Sequence, residues 1–256
     1  MRGLSLFSGI GGLDLAFEWA GGTVVAMVEI DPFCQKVLGK HWPDVPVFSD
    51  VREVTGADVG AVDVVYGGFP CQPFSVAGDR RGRDDDRFLW PEFSRLVREL
   101  GPRWVVGENV PGILSLAGDD VCADLELAGY EVGIWDFEAA AVGAPHRRER
   151  VFFVGHLPHS DGAGCEEQRG PVAVRAELGP AERGGGGKPE PGMGRAHDGF
   201  FPWMDGSWDR VVPRTAKGVP DRVARLRALG NAVVPQQAYP IFRAIFEEEK
   251  QCQREK

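Results

Sequence analysis

Residues 4–12 read Leu4-Ser5-Leu6-Phe7-Ser8-Gly9-Ile10-Gly11-Gly12, an apolar run that breaks into a glycine-rich turn. Leu13–Ala20 follows with helical spacing, and Gly21-Gly22 is its stop signal. Strand, glycine turn and helix form the opening unit of an α/β domain. The alternation continues outward from it. Thr23–Glu29 is β-branched, Asp31-Pro32 is an N-cap with a first-turn proline, and Pro46–Phe48 is a third short strand. Val62–Tyr66 and Trp104–Gly107 are buried-strand patterns, with a helix at Pro91–Leu100 between them. The order predicts an α/β fold, a Rossmann-like and mostly parallel sheet with helices on both faces. Glu131–Phe137 and Val151–Gly155 look like later strands. From 156 to 220 the pattern collapses into glycine, proline and charge, with Gly184–Gly187 as a four-glycine run. Periodicity returns at Val223–Leu229, followed by Gly230-Asn231 and a helix over Pro235–Glu249. Three regions result: 1–155, 156–220 as a small irregular lobe, and 221–256 as a returning segment.

A chain of 256 residues with 43% hydrophobic content can bury a substantial core. No apolar run approaches a membrane span, and the N-terminus has no secretory pattern. The five cysteines, Cys34, Cys71, Cys122, Cys165 and Cys252, are odd in number and contain no C-x-x-C pair. They predict reduced thiols in a cytoplasmic setting, and no metal site. The net charge of −9 argues at first against nucleic acid. Residues 140–230, however, hold 14 Lys/Arg against 11 Asp/Glu, while the rest holds 15 against 27. An acidic body with a mildly basic segment permits local phosphate contacts.

Chemistry-bearing residues gather at predicted strand ends. The turn Phe7-Ser8-Gly9-Ile10-Gly11-Gly12 lets the backbone approach a ligand, and the helix start offers free N–H groups to an anion. Glu29 ends the next strand, 20 residues after Gly9, where a carboxylate can accept both hydroxyls of a ribose. NAD is the obvious competitor for such a turn. The F-x-G-x-G-G pattern and the immediate helix start lean away from a pyrophosphate and suit the methionine moiety of S-adenosylmethionine. Asp50 could accept from an adenine amino group, or be a plain surface residue in a turn. Cys71 lies between Pro70 and Gln72 in GGFPCQPFS (67–75), directly after a strand. The glycines are read as a sharp exit that holds a thiol at the mouth of the sheet, where a nucleophile is useful. Glu108 follows the strand Trp104–Gly107 at the same edge. If the chain from Arg148 to Val151 is extended, Arg148 and Arg150 share one face. Phe200-Phe201-Pro202-Trp203 and Trp208 punctuate the irregular lobe and suggest packing or a stacking surface.

These blocks together closely resemble the C5-cytosine DNA methyltransferase family. LFSGIGG (6–12), PCQPFS (70–75), ENV (108–110), RRERV (147–151) and GNAVVP (230–235) occur in the family's order and span the chain. The resemblance implies transfer of a methyl group from S-adenosylmethionine to C5 of a cytosine in a specific DNA sequence. Cys71 would attack C6, and a protonated Glu108 would hydrogen-bond N3. Arg150 and Arg148 would hold the O2 side and the acid, and Asn109 would brace the loop around Cys71. The target base would be flipped out of the duplex.

For the cofactor, the resemblance implies Phe7, Gly9, Ile10, Gly11 and Gly12. It adds Glu29 for the ribose, Ile30 and Val51 against the adenine, and Asp50 for its amino group. Pro70, Leu89, Asn231, Ala232 and Val233 complete that site, so the C-terminal helix must fold back beside the first strand. Gln72, Ser75, Arg80, Arg81 and Arg83 look like part of a lid over the flipped base. The lobe at 156–220, with Trp203 and Trp208, would select the DNA sequence. Two departures stand out. His146 replaces a common glutamine, and the target-recognition region is short.

The implied setting is a monomer in a bacterial or phage-infected cell, acting on double-stranded DNA, with a cognate restriction endonuclease as a further partner. A tRNA cytosine methyltransferase, a DNA-binding relative with impaired catalysis and an NAD oxidoreductase are the competing expectations.

Overall fold

The computed structural model describes residues 1–70, 88–144, 146–158 and 220–254. All but 220–222 of these belong to one compact unit, Met1–Gly162 with Val223–Lys256. The other unit, Ala163–Arg222, has only its last three residues described.

Among the described residues, seven strands form one sheet: β1 (Arg2–Leu6), β2 (Thr23–Val28), β3 (Val47–Phe48), β4 (Val64–Gly68), β5 (Trp104–Asn109), β6 (Glu131–Glu138) and β7 (Glu149–His156). Their order is β3-β2-β1-β4-β5-β7-β6. All pairs are parallel except those of β7, which runs antiparallel to both β5 and β6. The mostly parallel, Rossmann-like sheet expected from the sequence is what forms. The chain reverses its direction of travel across the sheet between β1 and β4, the position where such sheets open a ligand crevice.

Both faces of the sheet are covered, which explains the continuous apolar runs of the inner strands. On one face Leu4, Leu6, Val65 and Val105 meet Trp90, Phe93, Leu96 and Val97 of α4 (Trp90–Leu100). The i, i+3, i+4, i+7 spacing of α4's buried residues is the helical stripe that such a face requires. On the other face Tyr66 and Val106 meet Phe17 of α1 (Gly12–Trp19) and Phe242 of the C-terminal helix (Pro235–Arg254). The rings of Phe17 and Phe242 lie 5.3 Å apart edge to face. Each such buried side chain contributes about 1.5–3 kcal/mol. This packing returns the chain end to α1. The helix α2 (Pro32–His41) begins as expected, with Asp31 Oδ1 accepting from the N–H groups of Phe33 (2.7 Å) and Cys34 (3.3 Å).

Four local readings change or are extended. β4 continues through Gly67-Gly68, and β5 continues through Glu108-Asn109. The two glycines therefore extend a strand and do not make the sharp exit expected of them. Strand β7 begins at Glu149, because Arg148 has φ 37° in the left-handed region. The extended run from Arg148 is not formed, although Arg148 and Arg150 both lie close enough to Glu108 for their charges to act on it. The periodic stretch Val223–Leu229 forms a helix, Arg222–Asn231, that also takes in Gly230-Asn231. Finally, the short helices Gly56–Val59 (α3) and Ile113–Leu116 (α5), and the longer Gly118–Leu127 (α6), were not expected from the sequence.

Candidate active site

The turn after β1 is built on left-handed residues, Phe7 at φ 54°, Gly9 at 58° and Gly11 at 88°. Glycine takes this conformation freely, whereas Phe7 pays a strain of about 1–2 kcal/mol. The turn is pinned by Ser8 N–H to the Val28 carbonyl (3.0 Å) and Gly11 N–H to the Ser8 carbonyl (3.0 Å). Gly11 is the N-cap of α1 and supplies no side-chain cap. No N-cap side chain therefore competes for the N–H groups at the start of α1, as an anionic ligand group there would require.

Glu29 stands just past β2 and is buried. Its Oε2 accepts from Gly9 N–H at 2.6 Å and its Oε1 from Asp31 N–H at 2.8 Å. These bonds orient the carboxylate while leaving lone pairs for further donors. Ile30 beside it is 69% exposed, an apolar side chain left uncovered at the sheet edge. Asp50 and Val51 follow β3. Val51 is buried, and Asp50 Oδ1 accepts from Arg52 N–H at 3.0 Å. Pro70 follows β4, and half-buried Leu89 precedes α4. Phe7–Gly12, Glu29–Ile30, Asp50–Val51 and Pro70 thus all lie at the carboxyl edge of neighbouring parallel strands.

The next strand carries the acid. Glu108 sits in β5 between Gly68 of β4 and Phe152 of β7. Its Oε1 lies 2.7 Å from Arg150 Nε, with both side chains nearly buried. Burial pushes the Glu108 carboxyl up to about 7, against the pull of the Arg150 and Arg148 charges. A Cβ on Gly68 would lie 2.7 Å from Glu108 Oε2. The second glycine of the GG pair is thus needed for room beside this carboxylate. Asn109 is also buried; its Nδ2 donates to the Phe69 carbonyl at 2.9 Å, and its Oδ1 accepts from Val110 N–H at 2.9 Å. It ties β5 to the chain two residues before Cys71.

Arg148 makes its hydrogen bonds elsewhere. Its Nη2 donates to the carbonyls of Gly230 (2.8 Å) and Ala232. This brings the returning segment, with exposed Asn231 and half-buried Ala232 and Val233, to the acid's neighbourhood. Val233 reaches further, to the glycine-rich turn: a Cβ on Gly12 would lie 2.6 Å from its carbonyl oxygen. Two residues without a sequence signal complete the surroundings. Gln237 is fully buried and donates to the carbonyls of Phe137 and Arg148. Asp14 is fully buried in α1 just after the turn and accepts from Tyr66 Oη at 3.0 Å. Burial raises its carboxyl to about 6.

Cys71, Gln72, Ser75, Arg80, Arg81, Arg83, Trp203 and Trp208 lie outside the described residues, as does nearly all of 156–220. Of the other thiols, Cys34, Cys122 and Cys252 are free. Burial, with Glu29 and Asp31 nearby, pushes Cys34 up to about 12, and burial also raises Cys122. Neither is poised as a thiolate nucleophile.

Comparison with known proteins places this geometry in context. Residues 1–173 match the model of a family described as C-5 cytosine-specific DNA methylase. The chain is similar to the type II methyltransferase M.FnuDI of Fusobacterium nucleatum, with 39% identity over 160 residues, 60% of this chain and 46% of that protein. It is similar to the type II methyltransferase M.AquIA of a Picosynechococcus strain, with 39% identity over 175 residues, 60% and 71% of the two chains. Among solved structures, it resembles a candidate DNA modification methyltransferase encoded within an E. coli prophage. The TM-score is 0.54 and the identity 32%, over 61% of this chain and 47% of that one. The chain therefore spans about half the length of M.FnuDI and of the prophage protein.

Proposed function

This chain belongs to the C-5 cytosine-specific DNA methylase family, and from that premise we propose that it methylates C5 of a cytosine in a specific duplex DNA sequence, using S-adenosylmethionine. The observation that carries the reading is the buried Glu108–Arg150 pair, whose carboxyl is raised to about 7. A carboxylic acid kept protonated near neutrality can donate to a ring nitrogen, and its fixed guanidinium can hold the neighbouring carbonyl oxygen.

The residues divide the work. Cys71, as thiolate, adds to C6 of a cytosine extruded from the stack, which makes C5 electron-rich. Glu108 donates its proton toward N3 and offsets the negative charge that the addition creates. Arg150 binds the O2 side and orients Glu108. Asn109, through the Phe69 carbonyl, fixes the start of the Cys71 loop. Loss of the C5 proton and departure of the Cys71 thiolate restore the aromatic ring. S-adenosylmethionine, when bound, supplies the electrophilic methyl group. The uncapped start of α1 would hold its carboxylate, Glu29 its ribose hydroxyls, and Ile30, Asp50 and Val51 its adenine, with Phe7, Ile10, Pro70 and Leu89 around it.

In this reading residues 1–155 hold the chemistry, 156–220 choose the sequence, and 221–256 close the cofactor site. Gln72, Ser75, Arg80, Arg81 and Arg83 cover the flipped base, and Trp203 and Trp208 contact the DNA. The setting is the bacterial cytoplasm, with a cognate restriction endonuclease as partner and the chain acting as a monomer. The deciding experiment is transfer of labelled methyl from S-adenosylmethionine to duplex DNA and to tRNA, followed by bisulfite sequencing of the DNA. Methylated cytosines within one repeated sequence context support the reading. Label confined to tRNA, or absent from both, overturns it.

A further inference from the structure

Arg148 occupies a strained position, left-handed at φ 37°, one residue before β7. A non-glycine residue there needs surrounding contacts to hold it. Those contacts all lead to one place. The Arg148 carbonyl accepts from Gln237 Nε2 at 2.8 Å, and the same amide nitrogen donates to the Phe137 carbonyl at 2.9 Å. Gln237 is fully buried, so this amide has no water to fall back on. The Arg148 side chain meanwhile donates to the Gly230 and Ala232 carbonyls. These are unpaired acceptors at the end of the helix Arg222–Asn231, where a fixed cation is favoured.

The clasped segment is the one that meets the glycine turn. Val233's carbonyl oxygen approaches Gly12 so closely that a Cβ would lie 2.6 Å away. Gly230–Val233 is therefore held between Arg148 on one side and the first residue of α1 on the other. Arg150, two residues along, is the arginine that pairs with Glu108. Arg148 and Arg150 thus make their direct polar contacts with separate partners.

We propose that Arg148 is a positioning residue of the cofactor site, which clamps Gly230–Val233 against the Gly9–Gly12 turn and so sets the affinity for S-adenosylmethionine, while Arg150 alone serves the cytosine. The inference rests on the reading of that turn as the S-adenosylmethionine site. A clamp of this kind affects cofactor binding and spares the chemical step once the cofactor is saturating. A catalytic arginine would do the reverse.

The test uses the full chain as wild type, Arg148→Met, Arg148→Lys and Gln237→Met. Calorimetry gives the S-adenosylmethionine Kd, and methyl transfer to duplex DNA gives kcat at saturating cofactor. Loss of the charge-assisted bonds in Arg148→Met should raise Kd roughly 10-fold or more. Its kcat should stay within about threefold of wild type. Arg148→Lys keeps a cation and should recover part of the affinity. Gln237→Met should shift Kd in the same direction with kcat retained. A Kd within about twofold of wild type in Arg148→Met overturns the clamp. So does a fall in kcat at saturating cofactor that Arg148→Lys does not relieve. If Arg148→Met does not fold, Arg148→Lys and Gln237→Met decide by the same split between Kd and kcat. Wild type that binds no S-adenosylmethionine removes the functional reading itself, a result distinct from unchanged affinity in the variants.

Discussion

Glu108 and Arg150 face each other across the β5–β7 pair, Oε1 to Nε at 2.7 Å, with side chains 9% and 13% exposed. β7 is the one strand among those described that runs against both its neighbours. That reversal brings the start of β7, with Arg150, to the carboxyl end of β5, with Glu108. Parallel continuation would have left the arginine at the opposite edge of the sheet. The antiparallel strand therefore serves the site as well as the sheet.

Glu108→Gln removes the proton and keeps the shape. Turnover should fall roughly 100-fold or more, with cofactor binding retained. The wild-type rate should also decline as pH rises through about 7, because the carboxyl acts in its protonated form and burial sets its midpoint there. Rates across pH 5.5–9 test both points. A Gln variant that loses less than about threefold, or that keeps the limb near 7, would remove Glu108 from the acid role.

Gly68→Ala tests the same carboxylate from the neighbouring strand. The new methyl would lie 2.7 Å from Glu108 Oε2, so the carboxylate must move. A displacement of about 1 Å at a catalytic group costs roughly 100-fold in rate. S-adenosylmethionine affinity should be unchanged. Gly39→Ala in α2 is the control, since a Cβ there meets nothing within 4 Å. Equal activity in the two variants would show that Glu108 tolerates the crowding.

The strands were legible because parallel strands buried on both faces leave apolar runs bounded by turns. Asp31-Pro32 marked the start of α2 because its cap is local. The carboxyl-edge grouping of Phe7–Gly12, Glu29, Asp50 and Glu108 was readable for the same reason, being set by strand order. Long-range side-chain destinations were not. Arg148 takes hydrogen-bond partners of its own because it adopts positive φ and reaches carbonyls 82 and 84 positions later. The role of Gly68 depends on a carboxylate 40 residues away. α6 was missed because Ala117 at its N-cap has no side-chain oxygen, and its buried apolar residues Val121 and Leu125 are too few to set a period, while Leu127 is exposed.

Cys71 can be tested chemically. DNA carrying 5-fluorocytosine at the target should trap a covalent adduct, because fluorine does not leave as a proton does. Peptide mass spectrometry should place the adduct on Cys71. Cys71→Ala should form none and still bind S-adenosylmethionine. An adduct on Cys34 or Cys122 would contradict both the assignment and the raised thiols at those positions.

Asp14 offers a test of stability in place of rate. It is fully buried in α1 just after the glycine-rich turn, and its carboxyl is raised from 3.8 to about 6. Desolvation is the main cause, opposed by hydrogen bonds from Ser5 and Tyr66. A raised acid binds its proton more tightly in the folded state than in the unfolded one. Between about pH 4 and 6 the folded state therefore holds more protons, and stability falls as pH rises through that window. Above it, the folded chain carries the full cost of a buried carboxylate. Asp14→Asn keeps an acceptor for Tyr66 and removes the ionisation. Its Tm relative to wild type should rise between pH 4 and pH 7, then level off. Glu108 contributes a slope of the same sign, but it is common to both proteins and cancels in the difference. A difference in Tm that stays flat from pH 4 to pH 8 would mean that Asp14 titrates alike in both states, and that its burial costs nothing on ionisation.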